Sequence, residues 1–210
     1  MRNFYLRLLS SLLILPIFLY LIYLNSFHFY FILFLILIFS FIEIFKTIRQ
    51  TKLKIILFFL IIIFLIAFYF LRGSGERDFI YCIWFLTIVW LSDTGGYFFG
   101  KFFGGKKMTI YSPNKTISGL LGSLIFSQFS ILVLIFFDSN FQYKIIFFII
   151  QFFLTIVSII GDIFFSYIKR KNQIKDYSNL IPGHGGILDR IDGLIFVVIF
   201  SYIIKVLNVY

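Results

Sequence analysis

Four carboxylates lie in one short polar segment, residues 158–193, of a chain that is otherwise mostly apolar. They are Asp162, Asp176, Asp189 and Asp192, out of nine acidic residues. Asp189 and Asp192 are three residues apart, so on a helix they share a face and both can bind one cation. Hard oxygen ligands suit Mg²⁺, which usually keeps waters and substrate phosphates in its shell. Helix capping by Asp189 is the structural alternative, but it leaves the other carboxylates unexplained. The segment therefore predicts a magnesium site that acts on a phosphate.

Asp162 lies near the end of an apolar run, with Ser158 and Ser166 four residues to either side. This spacing places the three side chains on one face of a helix. In a membrane helix such a polar stripe must face the interior of the bundle or a water-filled cavity. Lys169 and Arg170 follow one turn later, and on their own they would be read as cations that snorkel to the membrane interface. Their place after a carboxylate stripe indicates a binding role instead.

A glycine-rich turn around a histidine follows Lys175-Asp176. It reads Pro182-Gly183-His184-Gly185-Gly186. Three glycines in a tight turn expose backbone N–H groups, as a phosphate-binding nest requires. The turn is therefore a candidate phosphate site directly before the helix that carries Asp189.

A second polar stretch, residues 93–117, is rich in glycine, lysine and aromatic residues and is interpreted as a loop. Its glycines would let backbone N–H groups approach phosphate oxygens. Lys115-Thr116 stands just before an apolar helix whose N-terminal dipole favours an anion. Phosphate binding and contact with anionic lipid headgroups are both consistent with these residues. Asp93 ends an apolar run, where an unpaired carboxylate is costly. It is a site candidate, with a structural ion pair as the alternative.

The elements that must position these residues are membrane helices. The chain of 210 residues is 61% hydrophobic and 13% charged, its mean hydropathy is +1.02, and its apolar runs are continuous. No soluble basic domain accounts for the net charge of +10, so nucleic acid is not expected as a partner. The first apolar segment is interpreted as a retained span, since no cleavage site for a signal peptide follows it. The seven apolar segments are residues 7–24, 27–45, 55–71, 79–92, 118–137, 144–165 and 191–209.

The basic residues predict the orientation of these spans. With the N-terminus in the cytoplasm, four cytoplasmic segments hold fifteen of the nineteen Lys and Arg residues. These segments are residues 1–7, 46–54, 93–117 and 166–190. Both polar stretches then face the cytoplasm. We predict an all-α, polytopic membrane protein with about seven transmembrane helices and a cytoplasmic N-terminus.

No long linker divides the chain, so we expect one integral-membrane domain over residues 1–210. Residues 1–92 would supply the N-terminal spans, and residues 93–210 the catalytic half. Glu43 stands three residues before Lys46 and is interpreted as one partner of a helix-end ion pair.

The residue types together define a reaction class. Carboxylates for a divalent metal, cations and glycines for phosphates, and an adjoining lipid phase indicate phosphoryl or nucleotidyl transfer to a lipid. Two metals about 3.5–4 Å apart stabilise the attacking and leaving oxygens of such an in-line displacement. The alternative from another class is a cation transporter that uses Asp93, Asp162 and Asp189 as ligands. A transporter needs polar residues through the bilayer depth, whereas these spans are nearly all Phe, Ile and Leu.

The spacing of the polar residues resembles the signature of the phosphatidate cytidylyltransferases, or CDP-diacylglycerol synthases. The matching residues are Ser166-x-Ile168-Lys169-Arg170, Lys175-Asp176-x-Ser178 and Ile181-Pro182-x-His184-Gly185-Gly186-Ile187-x-Asp189-Arg190-Ile191-Asp192. Upstream, Asp93, Tyr97, Gly100, Ser112-Pro113-x-Lys115-Thr116 and Gly161-Asp162 are similar to the family as well. Two positions depart from it: Ile117-Ser118 replaces a common Trp-Glu, and Gly96 replaces a common alanine.

The resemblance implies a nucleotidyltransferase that converts CTP and phosphatidate to CDP-diacylglycerol and pyrophosphate, in a bacterial inner membrane and as a homodimer. It implies Mg²⁺ as the cofactor, in one or two metal sites. The second site would hold either Mg²⁺ or K⁺. The implied metal ligands are Asp162, Asp189, Asp192 and Asp93. The implied catalytic and phosphate-binding residues are Lys115, Lys169, Arg170, Lys175, Asp176, His184 and Arg190. The implied nucleotide-binding positions are Ser112, Thr116, Ser166, Gly183, Gly185 and Gly186.

A second enzyme is built from similar parts. A CTP-dependent polyprenol or phytol kinase would move the γ-phosphate to an alcohol and release CDP, whereas the cytidylyltransferase releases pyrophosphate. The products therefore separate the two activities.

Overall fold

The computed structural model describes residues 16–113, 115–139, 141–142, 144–181 and 185–208, and these are mostly helical. Residues 16–24 are helical and are called α1. The other elements are α2 (Ser26–Thr47), α3 (Thr51–Arg72), α4 (Glu76–Phe103), α5 (Ile117–Ser127), a 3-10 turn (Gln128–Ser130), α6 (Ile131–Phe137), α7 (Ile145–Lys171) and α8 (Leu188–Val206). The described residues contain two isolated β-bridges and no strand, so the predicted all-α class is confirmed.

Five helical stretches in the described part of the chain are long and apolar enough to cross a membrane. They are α2, α3, α4, the α5–α6 stretch Ile117–Phe137, and α7. These stretches correspond to the second to sixth predicted segments, so the chain is an integral membrane protein with several spans. Helix α8 coincides with the last predicted segment but carries four charged residues. Residues 7–15, half of the first segment, lie outside the described residues, and the count of seven spans and the side of the N-terminus stay predictions.

Helix α4 is longer than the sequence interpretation allowed. We expected the span to end at Ser92-Asp93 and a loop to follow over residues 93–117, but the helix continues to Phe103. The loop prediction is wrong for residues 93–103 because the glycines there serve helix packing. A Cβ atom on Gly122 of α5 would lie 2.5 Å from the Gly95 carbonyl oxygen of α4. Small residues let two membrane helices approach this closely. Residues 104–113 and 115–116, between α4 and α5, are non-helical.

Helix α7 also extends beyond its predicted end at residue 165, to Lys171. Ser158, Asp162 and Ser166 therefore all belong to one helix, as their spacing predicts. Lys169 and Arg170 lie in its last turn, where cations interact favourably with the negative end of the helix dipole.

The chain divides into two compact units. The first unit comprises residues 1–69 and 169–191. Its core includes buried aromatic side chains of α2 and α3, where the Phe29 and Phe68 rings meet edge to face at 5.3 Å. Such ring pairs add to the packing energy of a membrane helix pair.

The second unit comprises residues 70–168 and 192–210. Its core includes Trp84, whose ring lies 4.8 Å from Phe85 and 5.7 Å from Phe147. Here α7 and α8 approach closely at two glycines: a Cβ atom on Gly161 would lie 3.0 Å from the Asp192 carbonyl oxygen. This contact brings Asp162 and its neighbours against the backbone of α8.

Candidate functional site

Asp189 is the centre of a polar cluster in the first unit. It lies in the first turn of α8, and its side chain is 3% exposed. Its Oδ1 atom accepts a hydrogen bond from Lys169 Nζ at 2.8 Å. Its Oδ2 atom accepts from the backbone N–H groups of Tyr177 at 2.8 Å and Gly186 at 3.0 Å. Both carboxylate oxygens are thus engaged by groups of the signature segment.

Ile181 and Gly185, on either side of residues 182–184, contact each other. The Ile181 N–H donates to the Gly185 carbonyl oxygen at 2.9 Å. Gly185 has φ +84°, a conformation that disfavours any side chain. The Gly186 N–H is used by Asp189 rather than left open for a phosphate. Gly183 and His184, both predicted site residues, lie outside the described residues together with Pro182.

Glu43 is a member of this cluster that the sequence interpretation missed. Its side chain accepts hydrogen bonds from Ser178 Oγ at 2.6 Å, from the Ile187 N–H at 2.8 Å and from the Leu188 N–H at 2.9 Å. The residue is 2% exposed. The predicted ion pair with Lys46 is wrong, because the carboxylate has these other partners. The available signal was a carboxylate inside an apolar segment, where it needs buried partners.

Lys115 and Asp162 form the polar centre of the second unit. Lys115 Nζ donates to Asp162 Oδ2, and the two side chains are 30% and 16% exposed. The loop before α5 holds Lys115 in place: the Met108 N–H donates to the Lys115 carbonyl oxygen at 2.8 Å. Thr116 then caps α5, since its hydroxyl accepts from the Gly119 N–H at 3.0 Å. The predicted boundary of the apolar helix at Lys115-Thr116 is therefore confirmed.

Asp162 and Ser158 also lie against Gly193 of α8. A Cβ atom on Gly193 would lie 2.7 Å from Asp162 Oδ1 and 2.8 Å from Ser158 Oγ. Ser158 Oγ is buried and has no hydrogen-bond partner among the described residues. Asp162 Oδ1 and the Ser158 hydroxyl, which both lie against Gly193, are suitable ligands for a hard cation. Mg²⁺ commonly takes only one or two protein carboxylates. The predicted Ser158–Asp162 stripe is thus a suitable donor set.

The other predicted metal ligands are placed differently. Asp192 Oδ1 accepts a hydrogen bond from the Gly193 N–H at 2.9 Å. Asp93 is an exposed residue of α4, ten residues before the helix ends, rather than the last residue of a span. Among the described residues, no group of three His, Cys, Asp or Glu side chains is arranged to hold a metal ion. A cation here would complete its shell with water and substrate oxygens.

The remaining predicted site residues differ in their exposure. Arg170, Lys175, Asp176 and Arg190 are exposed, whereas Ser112, Thr116 and Ser166 are partly buried. Lys115 and Lys169 are less exposed than the first four of these residues, and each is paired with a carboxylate: Lys115 with Asp162, and Lys169 with Asp189.

The chain is similar to three bacterial proteins named phosphatidate cytidylyltransferase. It is 40% identical to that of Staphylococcus haemolyticus over 132 residues, which is 62% of this chain and 49% of the relative. It is 39% identical to that of Staphylococcus aureus strain COL over 134 residues, 63% of this chain and 51% of the relative. The protein from Helicobacter pylori is 41% identical over 115 residues, 54% of this chain and 42% of the relative. The chain spans about half the length of the curated relatives it matches.

The match to the family as a whole is more extensive than these pairwise matches. The sequence model of the cytidylyltransferase family matches residues 11–207, which include both lysine–carboxylate pairs and the whole signature segment. The resemblance seen in the signature residues is therefore confirmed, and the chain belongs to the cytidylyltransferase family.

Proposed function

We propose that this chain is a phosphatidate cytidylyltransferase of phospholipid biosynthesis. It would transfer the cytidylyl group of CTP to phosphatidate and release pyrophosphate. The observation that carries the proposal is the pairing of a lysine with a carboxylate in each unit, Lys115–Asp162 and Lys169–Asp189, at residues of the family signature. Each pair combines a candidate phosphate ligand with a candidate metal ligand.

The reaction is an in-line displacement at phosphorus. A phosphate oxygen of phosphatidate attacks the α-phosphorus of CTP and forms a new P–O bond. The bond from the α-phosphorus to the oxygen bridging to the β-phosphorus breaks, and that oxygen leaves as part of pyrophosphate. The attacking phosphate is already ionised near neutral pH, so the reaction requires no strong general base. Alignment and charge neutralisation then provide most of the acceleration. His184 is assigned an orienting or phosphate-contacting role.

The two lysines supply positive charge from protected positions. Lys169 is 13% exposed and Lys115 30% exposed, so water screens their charges less than those of surface lysines. We expect each ammonium group to donate to phosphate oxygens of a bound substrate. Arg170, Lys175 and Arg190 are exposed and would meet the outer phosphates.

Asp162 and Ser158 are the residues best suited to hold Mg²⁺. Asp162 Oδ1 and Ser158 Oγ both lie against Gly193, and the hydroxyl has no other partner among the described residues. Asp189 can act as a ligand only if it releases hydrogen bonds from Lys169 or the backbone. Asp192 and Asp93 remain further candidates, and a second position would take Mg²⁺ or K⁺. Bound Mg²⁺ neutralises the charge of the triphosphate.

We place the protein in the bacterial inner membrane, with seven spans, a cytoplasmic N-terminus and the polar segments in the cytoplasm. The distribution of lysine and arginine supports this orientation, since fifteen of nineteen lie in the predicted cytoplasmic segments. The charge of CTP also favours a cytoplasmic site, because a triphosphate does not cross a bilayer unaided. A homodimer is the proposed assembly.

The function is tested with membranes that carry the protein. These are incubated with phosphatidate, Mg²⁺ and CTP labelled at the α-phosphorus, and the lipids are extracted. The expected result is label in a lipid product, dependent on phosphatidate and absent from membranes without the protein. If the protein is folded in these membranes and no labelled lipid forms, the proposal is contradicted. Release of CDP with label absent from lipid would instead indicate the kinase.

A further inference from the structure

Glu43 is a buried carboxylate whose partners all belong to one distant segment. It lies on α2, is 2% exposed, and accepts from Ser178 Oγ and from the Ile187 and Leu188 N–H groups. The described residues provide no cation within ion-pair distance of it. A carboxylate buried among hydrocarbon is stabilised only if such donors satisfy it. The buried Glu43 carboxylate is therefore stabilised only while the distant segment supplies these hydrogen bonds.

The same contacts fix the start of α8. Ile187 and Leu188 are the residues at which the helix begins, so their N–H groups have no partner within the helix. A negative charge at this end also interacts favourably with the helix dipole. Gly186 completes the fit: a Cβ atom there would lie 2.5 Å from Glu43 Oε1. The glutamate thus holds the backbone immediately before Asp189.

Asp189 holds the other part of this segment. It takes the Tyr177 and Gly186 N–H groups, while Glu43 takes Ser178, Ile187 and Leu188. The two carboxylates together accept five hydrogen bonds from residues 177–178 and 186–188. The Asp189 carboxylate then presents Oδ1 to Lys169 at 2.8 Å. If Glu43 were neutral, the first turn of α8 and the position of Asp189 would lose their support.

We infer that Glu43 is a positioning residue of the transferase: it anchors Ser178 and residues 186–188 so that Lys169 and Asp189 stand where phosphates bind. This inference rests on the proposed function. Glu43 touches no reacting atom, so it acts through the segment that it holds. Its place on α2, outside the predicted catalytic half, makes the second transmembrane segment part of the active machinery.

The test compares Glu43→Gln with Glu43→Asp. Glutamine has one acceptor oxygen and presents an amide NH₂ group to the same N–H donors, so it cannot satisfy all three. Losing hydrogen bonds to a charged acceptor predicts a drop in kcat of roughly 10- to 100-fold for Glu43→Gln. Glu43→Asp keeps the charge and should recover part of this loss. Glu76→Gln, at the other glutamate of the chain, is exposed and should keep wild-type activity.

A second comparison separates positioning from simple stability. If Glu43 acts through Lys169 and Asp189, then Glu43→Gln should slow a Lys169→Ala protein far less than it slows the wild type. If the two substitutions acted independently, their fold-reductions in kcat would instead multiply. Multiplicative effects, or a wild-type kcat in Glu43→Gln, would overturn the inference.

Hydrogen exchange gives a readout that does not depend on activity. Amides of residues 177–188 should exchange faster in Glu43→Gln than in Glu76→Gln, while those of α4 stay unchanged. Equal exchange in the two variants would refute the anchor even if the wild type showed no transferase activity. An inactive wild type with the expected exchange pattern would refute the proposed function and leave the anchor standing.

Discussion

At the level of single residues, two lysine–carboxylate pairs carry the proposed chemistry. The sequence predicted all four members, Lys115, Asp162, Lys169 and Asp189, as ligands of phosphate or metal. It did not predict their pairing, because partners separated by 47 and 20 residues meet only through tertiary structure. Glu43 was missed for the same reason: its nearest charged neighbour in sequence, Lys46, was a simpler partner than a segment 135 residues away.

Asp162→Asn should abolish turnover without unfolding the protein. The substitution removes the charge beside Ser158 and Gly193, and losing a group that stabilises developing charge typically slows catalysis about 100- to 1,000-fold. The Lys115–Asp162 pair is partly exposed, so its loss should change the free energy of unfolding by about 1 kcal/mol or less. Rates at several Mg²⁺ concentrations and thermal unfolding in detergent check this. Near-normal rates would refute the assignment of Asp162 as a metal ligand.

Asp189→Asn should reduce both activity and stability. This carboxylate is 3% exposed and partners a lysine that is 13% exposed, and breaking such a buried pair costs about 3–5 kcal/mol. The double variant Asp189→Asn with Lys169→Met should unfold at a higher temperature than the single variant, because no unpaired buried cation remains. Both should be inactive. If the single variant were as stable as the wild type, the buried cluster would have a smaller structural role than its hydrogen bonds indicate.

At the level of elements, hydropathy predicted the spans better than it predicted their ends. Apolar runs alone located the helices, since a long apolar run in a bilayer has no other way to satisfy its backbone. The predicted end of α4 was wrong because Gly95, Gly96 and Gly100 were interpreted as glycines of a phosphate-binding loop. Their actual role depends on α5, which lies beyond the loop in sequence, so no local pattern could distinguish the two.

Gly122→Ala tests this helix contact. The added methyl group would lie 2.5 Å from the Gly95 carbonyl oxygen and 2.5 Å from the Phe99 side chain. Overpacking of this kind destabilises by about 1–3 kcal/mol. The apparent Tm in detergent should fall, whereas Leu121→Ala, at an exposed neighbouring position, should leave it within error. Equal Tm values for the two variants would contradict the close α4–α5 packing.

At the level of the whole molecule, the charge distribution predicts one orientation. The chain has a single cysteine, Cys82, which is fully buried, so introduced thiols can be labelled against a low background. We expect Ser139→Cys to react with a membrane-impermeant reagent in intact cells and Lys106→Cys to react only after permeabilisation. The reverse pattern would show that the positive-inside argument fails for this chain.

The proposed reaction transfers the α-phosphorus of CTP, and not its γ-phosphorus, to phosphatidate. Parallel reactions with α-labelled and γ-labelled CTP, in membranes that contain the protein, distinguish the two. We expect label in lipid only from α-labelled CTP, with γ-label recovered in pyrophosphate in equal amount. Label in lipid from γ-labelled CTP, or pyrophosphate without labelled lipid, would contradict the proposed reaction.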